Sequence, residues 1–163
     1  VHKVSIISRG SAGGYTLKLP TEDKRFHSKS EFIADLSVLL AGHAIESKVF
    51  KDITTGASSD LKRATNLAKQ MVTVYGMSEK LGTRTFGDKE ELIFLGKEIS
   101  EQRDYGEKYA QLIDEEISRF LDESYSQAQK VLEENMPKIE KLVAVLLKDE
   151  TIEKDEFETL MKS

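Results

Sequence analysis

Two short segments near the start of the chain alternate apolar and polar residues, which predicts β-strands. They cover residues 2–8 and 15–19, and in the second the apolar positions alternate with Thr16 and Lys18. A period of two is typical of a strand with one buried face. The connection between them, R-G-S-A-G-G, is rich in glycine. Residues 1–20 are therefore predicted to form a β-hairpin.

Helical spacing replaces this alternation in the next part of the chain, which is predicted to form two buried helices over residues 28–76. Ser28 and Glu31 have the spacing of a capping box, which predicts that a helix begins there. Its apolar residues lie on one wide face that is expected to be deeply buried: Phe32, Ile33, Leu36, Leu39, Leu40 and Ala44. A second helix is predicted from about residue 57 to residue 75, with Gly76 as a left-handed cap.

The remaining chain is predicted to be an irregular connection followed by an acidic helical tail. Residues 77–103 show no clear period apart from a short apolar run at Leu92–Leu95, and acidic residues outnumber basic ones in residues 104–163. Helices in the tail are predicted over residues 104–135, from Pro137 to about residue 147, and over residues 154–161. The fold class is thus one mainly α domain, residues 1–163, with a small β-hairpin or sheet near the N-terminus.

Composition excludes several kinds of chemistry. The chain has no cysteine, which excludes disulfides, a cysteine nucleophile and thiolate zinc sites. Its net charge of -5 argues against a nucleic-acid partner, and no apolar run reaches the roughly 20 residues that span a bilayer. The three histidines, at positions 2, 27 and 43, include no pair at the i, i+4 spacing of a helical zinc site. His43 and Glu46 share a helix face, a pattern common on any helix.

Asp60 is the polar residue whose position is least usual. It precedes Ala64, Leu67 and Met71 on the apolar face of the second helix, so its carboxylate points inward or lies at the rim of that face. One interpretation is a first-turn aspartate that interacts favourably with the helix dipole. The other is a carboxylate directed at a cation or a proton.

Several strings resemble the peptidase domain of the FtsH-type ATP-dependent zinc metalloproteases. The most specific is MVTVYGMSEKLG at residues 71–82, and TTGASSDLKRAT lies at residues 54–65. Further matching strings occur in the same order as in the family: VHKVSII (1–7), GYTLKLP (14–20), AGHAIESKVF (41–50), IFLGKEIS (93–100) and LIDEEI (112–117). The resemblance implies a helical metalloprotease-type fold.

The resemblance also implies a function and its residues. The full-length protein would be a membrane-anchored homo-hexamer in which an ATP- and magnesium-dependent AAA+ ring delivers unfolded or unneeded proteins to a zinc endopeptidase. It would act on the cytoplasmic side of the bacterial inner membrane, or at the organellar equivalent. Asp60 would be the third zinc ligand, and Gly14, Tyr15 and Thr16 would form the strand that binds substrate. Glu46 would support the site or the structure around it.

The sequence departs from the family pattern in ways that affect this expectation. The H-E-x-x-H helix of the family, which supplies two zinc ligands and the catalytic glutamate, is expected shortly before Val1. The chain alone is therefore expected to be inactive and to bind zinc poorly, and membrane contact would require segments preceding it. Ser8, His43 and Ser59 stand where the family usually has proline, arginine and asparagine. His43 is a poor replacement ligand because it lies on a different helix from Asp60.

A second hypothesis is that the chain is a non-catalytic helical module for oligomerisation or interaction, descended from such a protease. The retained Asp60 argues against it. The apolar stripes of the tail are expected to pack against the first two helices and to border contacts between subunits.

Overall fold

The computed structural model describes residues 1–8, 10, 13–19, 26–87 and 105–162. Helices dominate, and a small antiparallel sheet includes the N-terminal strands, which confirms the predicted fold class. The elements in chain order are β1 (Lys3–Ser5), β2 (Tyr15–Leu17), α1 (Lys29–Phe50), a 3-10 turn (Thr55–Ala57), α2 (Ser58–Thr73), α3 (Glu107–Asp149), β3 (Thr151–Glu153) and α4 (Lys154–Lys162). No helix within these described residues is long and apolar enough to cross a membrane.

The chain divides into two compact units. The helical unit comprises His27–Lys130, and the sheet unit comprises Val1–Phe26 together with Val131–Ser163. Helix α3 begins in the helical unit, and its last residues belong to the sheet unit.

The core of the helical unit is formed by α1, α2, the first part of α3 and the segment that follows α2. Alanines on α2 allow its neighbours to approach closely. The buried cluster contains Leu36 and Leu40 from α1, Ala64, Ala68, Met71 and Val72 from α2, Leu81 and Phe86 after it, and Ile113 and Phe120 from α3. Burial of this apolar surface stabilises the unit. The expectation that the tail packs on the first two helices is confirmed for this part of α3.

Helix α1 begins at the predicted capping box. The backbone N–H of Glu31 donates to Ser28 Oγ at 3.2 Å, and the Ser28 N–H donates to the Glu31 carboxylate at 2.8 Å. Leu36, Leu40 and Ala44 are buried as predicted, whereas the rest of the predicted face, Phe32, Ile33 and Leu39, is only partly buried at the edge of the cluster.

Helix α2 ends close to its predicted cap. Its last residue is Thr73, and Gly76 has a φ of +60°, the left-handed conformation that glycine adopts most easily. The predicted helix over residues 57–75 was therefore slightly too long.

The sheet has three strands in the order β2-β1-β3, with both pairs antiparallel. Val4 in the central strand lies opposite Thr16 on one side and Ile152 on the other. The two predicted strands exist but are shorter than residues 2–8 and 15–19. β3 was not predicted, because three residues between two helices carry no measurable alternation.

The predicted helix break before Pro137 is wrong. Helix α3 continues through Pro137 to Asp149. Proline removes one backbone hydrogen bond and strains the preceding turn. Here Pro137 is exposed on the surface of the helix. Glu150 then takes a left-handed conformation, with a φ of +59°, and its N–H donates to the Leu146 carbonyl at 2.8 Å to close the helix.

The predicted connection over residues 77–103 is described only as far as residue 87. Phe86 is buried there, and its N–H donates to the Thr73 carbonyl at 2.9 Å. The apolar run Leu92–Leu95 and the string at residues 93–100 lie outside the described residues.

Candidate functional site

Asp60 lies in the first turn of α2, at the rim of its buried face. Ala64 and Met71 along that face are buried, while the Asp60 side chain remains 45% exposed. The Arg63 guanidinium is 3.5 Å from Asp60 Oδ1 and makes a weak ion pair one turn away. The carboxylate is therefore accessible to a ligand, and its position also suits the helix dipole. Both interpretations of the sequence pattern fit this geometry.

Glu46 ties the end of α1 to the turn that leads into α2. Its two carboxylate oxygens accept from the Thr54 N–H at 3.1 Å and from Thr54 Oγ1 at 2.9 Å. Thr54 Oγ1 in turn accepts from the Gly56 N–H at 3.1 Å. Since the 3-10 turn runs directly into α2, these bonds fix the backbone that precedes Asp60.

Gly56 fits tightly beside this carboxylate. A Cβ at position 56 would lie 3.2 Å from Thr54 Oγ1 and 3.3 Å from Glu46 Oε1. A larger residue there would compete with the link. Sequence reasoning identified Glu46 and Asp60 but missed Thr54 and Gly56, although the string T-T-G-A before the helix is a turn signal that could have indicated them.

The three histidines have separate surroundings. His27 stacks on Phe32 with ring centroids 5.5 Å apart, and His2 Nδ1 accepts from the Leu19 N–H at 3.4 Å. The His43 ring contacts the Tyr125 ring edge-on, with the ring centroids 5.7 Å apart. The buried Nδ1 of His43 has no hydrogen-bond partner. Among the residues that the structure describes, no group of three or more histidine, aspartate or glutamate side chains could hold a metal. Asp60 is therefore a single potential ligand there.

The residues predicted to bind substrate lie in the sheet unit. Tyr15 and Thr16 belong to β2, which is at one edge of the sheet because β1 occupies the centre. An edge strand can accept an extended peptide through main-chain hydrogen bonds. Gly14 immediately precedes it and approaches β1 closely, since a Cβ at position 14 would lie 2.6 Å from the Ser5 carbonyl oxygen.

This close approach gives a direct prediction for Gly14→Ala. The added methyl group collides with backbone, which cannot rotate away as a side chain can. We expect β1 and β2 to separate locally and the free energy of unfolding to fall by about 1–3 kcal/mol, the usual range for overpacking. Urea unfolding measures the loss. Gly13→Ala is the matched control because a Cβ at position 13 meets no atom within 4 Å. Equal stability of the two variants would contradict the prediction.

Comparison with known proteins identifies the family of this chain. The family model of peptidase family M41 matches residues 1–160. The chain is 50% identical over 160 residues to "ATP-dependent zinc metalloprotease FtsH 1" of Sphaerobacter thermophilus, covering 98% of this chain and 24% of the relative. It is 49% identical over 160 residues to the protein of the same name in Thermomicrobium roseum, with the same coverage.

A third relative matches the chain with similar identity and coverage. "ATP-dependent zinc metalloprotease FtsH" of Caldicellulosiruptor bescii is 47% identical over 161 residues, covering 99% of this chain and 26% of that protein. The chain thus spans about a quarter of the length of the curated relatives that it matches. Since the family model covers almost all of its residues, the chain belongs to peptidase family M41.

Proposed function

We propose that this chain is the C-terminal part of the peptidase domain of an ATP-dependent zinc metalloendopeptidase that degrades unfolded or unneeded proteins. The observation that carries the proposal is Asp60, a half-exposed carboxylate in the first turn of α2, in a chain of peptidase family M41. Asp60 would supply one of the zinc ligands. Bound zinc would activate a water molecule for attack on the peptide bond.

A catalytic zinc site normally takes three protein ligands and leaves one position for water. Asp60 offers one carboxylate, so the other ligands would come from outside the described residues, on the helix that carries H-E-x-x-H in the family. Val49, Phe50, Ile53 and Leu61 are exposed apolar residues near the end of α1 and the start of α2. The segment that completes the site would cover this apolar surface.

The link through Glu46 would keep Asp60 in place. A ligand must be held within a fraction of an ångström by its supporting bonds, and the partners of metal ligands commonly matter for affinity. Glu46 bonds to the turn that enters α2 rather than to Asp60 itself. Its role would therefore be to position the backbone.

Substrate would bind as an extra strand along β2. Gly14, Tyr15 and Thr16 present the sheet edge at which an unfolded polypeptide could pair. This mode recognises backbone rather than a particular side chain, which suits an enzyme acting on many unfolded proteins.

The remaining features of the whole protein are proposed from the family and the names of the relatives. They are a membrane-anchored homo-hexamer, ATP and magnesium in an AAA+ domain, and a location on the cytoplasmic side of the bacterial inner membrane or at the organellar equivalent.

A chimera tests the proposal without assuming anything about the ends of this chain. The chain replaces the matching 160 residues of the Sphaerobacter thermophilus relative, and degradation of fluorescent casein is followed with ATP and zinc. We expect ATP- and zinc-dependent degradation. A chimera that assembles and hydrolyses ATP but does not degrade casein would instead support the non-catalytic interaction module.

Glu46→Ala should loosen the entrance to α2. The variant removes both acceptors of Thr54. Because these bonds are exposed and water can replace them, we expect a loss of about 0.5–1.5 kcal/mol in the free energy of unfolding. In the chimera the variant should also bind zinc more weakly. Asp35→Ala, an exposed position on the same helix, serves as the control and should change neither quantity. Wild-type stability and zinc affinity in Glu46→Ala would contradict the proposed link.

A further inference from the structure

The helical unit contains a fully buried carboxylate. Glu116 on α3 has no exposed surface, and an unpaired charge there would be strongly unfavourable. The Arg119 guanidinium donates to both of its oxygens, at 2.9 and 2.8 Å. Ser78 Oγ donates to Glu116 Oε2 at 2.7 Å, and Lys80 Nζ lies 3.3 Å from Oε1. The charge is thus neutralised and hydrogen-bonded from two sides.

Two of these partners come from the short turn Ser78–Leu81, which follows α2. Ser78 is itself buried and also accepts from the Leu81 N–H at 3.2 Å, and the Leu81 side chain enters the core cluster. On the same turn, Glu79 Oε1 lies 3.5 Å from the Nζ of Lys29 at the start of α1. Consecutive residues of one turn therefore contact both α3 and α1.

We propose that Glu116 anchors the Ser78–Leu81 turn, which follows α2, to α3. The Glu116 contacts dominate because the carboxylate itself is buried, whereas both members of the Lys29–Glu79 pair are exposed and their pairing adds little. This role concerns the folded state of the unit and is independent of zinc. It also gives a structural role to Ser78, Lys80 and Leu81, which belong to the most specific string, MVTVYGMSEKLG at residues 71–82.

The electrostatics of Glu116 support this role. Hydrogen bonding from Arg119, with smaller contributions from Ser78 and Lys80, lowers the pKa of its carboxyl to about 2 against the opposing effect of burial. The hydrogen bonds of Arg119 to Glu116 and, to a smaller extent, to Glu123 raise the pKa of the guanidinium above its usual range. The charged groups that face Glu116 in the described residues are Arg119 on its own helix and Lys80 on the turn.

The sign of the pH dependence follows from this lowered pKa. The stabilisation is fully present above the unfolded value of about 4.5 and is lost as the pH falls towards about 2. The difference in urea midpoint between wild type and Glu116→Gln should therefore be constant above about pH 4.5 and shrink below it. A difference that grows on acidification would overturn the proposed anchor.

Hydrogen exchange of backbone amides tests the anchor on the Ser78–Leu81 turn itself. In Glu116→Gln the side-chain volume is kept and the charge is lost, so we expect exchange of the Leu81 amide to rise by about 30-fold, within the range for hydrogen bonds to a charged group. The Phe32 amide in the first turn of α1 should change much less. Glu115→Gln, an exposed neighbour on α3, is the matched control. Exchange at Leu81 no faster than in this control, or a rise of equal size at Phe32, would overturn the proposal.

A second variant keeps the test decisive if Glu116→Gln does not fold. Ser78→Ala removes the hydroxyl that donates to Glu116 but leaves the carboxylate with both cations, of which Lys80 lies on the turn. Because Ser78 Oγ is also the acceptor of the Leu81 N–H, this variant is followed by its urea midpoint. The difference from wild type should shrink below about pH 4.5, since the Ser78 bond helps to lower the pKa of Glu116. A difference that grows on acidification would contradict the anchor. Where both variants fold, the effect of Ser78→Ala on the urea midpoint should be smaller in the Glu116→Gln background, because the two residues act through one contact. Fully additive effects would contradict the anchor.

Discussion

Replacing Phe120 by alanine is expected to lower the free energy of unfolding by about 3–5 kcal/mol, the usual cost of removing a large buried aromatic residue. Phe120 is fully buried and belongs to the cluster that α1, α2 and α3 share. The Arg119 guanidinium and the Lys29 ammonium also lie near its ring, at 4.5 and 5.4 Å from the centroid. The variant would therefore lose a cation–π contribution together with its apolar contacts.

Urea unfolding monitored by circular dichroism measures this loss. The control is Phe26→Ala, since the Phe26 side chain is 89% exposed and its removal should change the stability by at most about 0.5 kcal/mol. A loss below about 1 kcal/mol for Phe120→Ala would mean that the three helices do not share one core.

Asp60→Asn is expected to reduce casein degradation by the chimera at least about 100-fold, because an amide is a far poorer zinc ligand than a carboxylate and the activated water would be lost with the metal. The substitution preserves the shape of the side chain, so folding should be unaffected. Asp35→Asn, at an exposed site on α1, should retain full activity. Comparable activity in the two variants would remove Asp60 from the catalytic site.

The sequence predicted those parts of the fold that local patterns specify. The start of α1 was correct because the capping box between Ser28 and Glu31 is a local hydrogen-bond pair. The end of α2 was nearly correct because Gly76 adopts a backbone conformation that few other residues accept.

The errors arose at β3 and at Pro137, and for β3 a distant partner decides the structure. β3 is a strand because residues near the N-terminus pair with it across almost the whole chain. Helix α3 continues through Pro137 although proline locally favours a break. Neither outcome can be derived from a window of a few residues.

In the candidate site, too, local patterns could be predicted from the sequence, whereas contacts between distant residues could not. Asp60 could be identified from the sequence, because helical spacing places it at the head of an apolar face and the surrounding string resembles a known family. The bonds of Glu46 to Thr54 could not, since they span eight residues and depend on the shape of the intervening turn. The buried position of Glu116 was also unpredicted, because its partners on the Ser78–Leu81 turn lie far from it in the sequence.

The proposed coordination of zinc by Asp60 can be measured by metal titration. The chimera, its Asp60→Asn variant and its Asp35→Asn variant are titrated with zinc against a chromogenic chelator, which reports affinity without requiring activity. We predict the same tight binding for the chimera and Asp35→Asn, and binding at least about 10-fold weaker for Asp60→Asn. Unchanged zinc affinity in a folded Asp60→Asn chimera would show that Asp60 is not a zinc ligand.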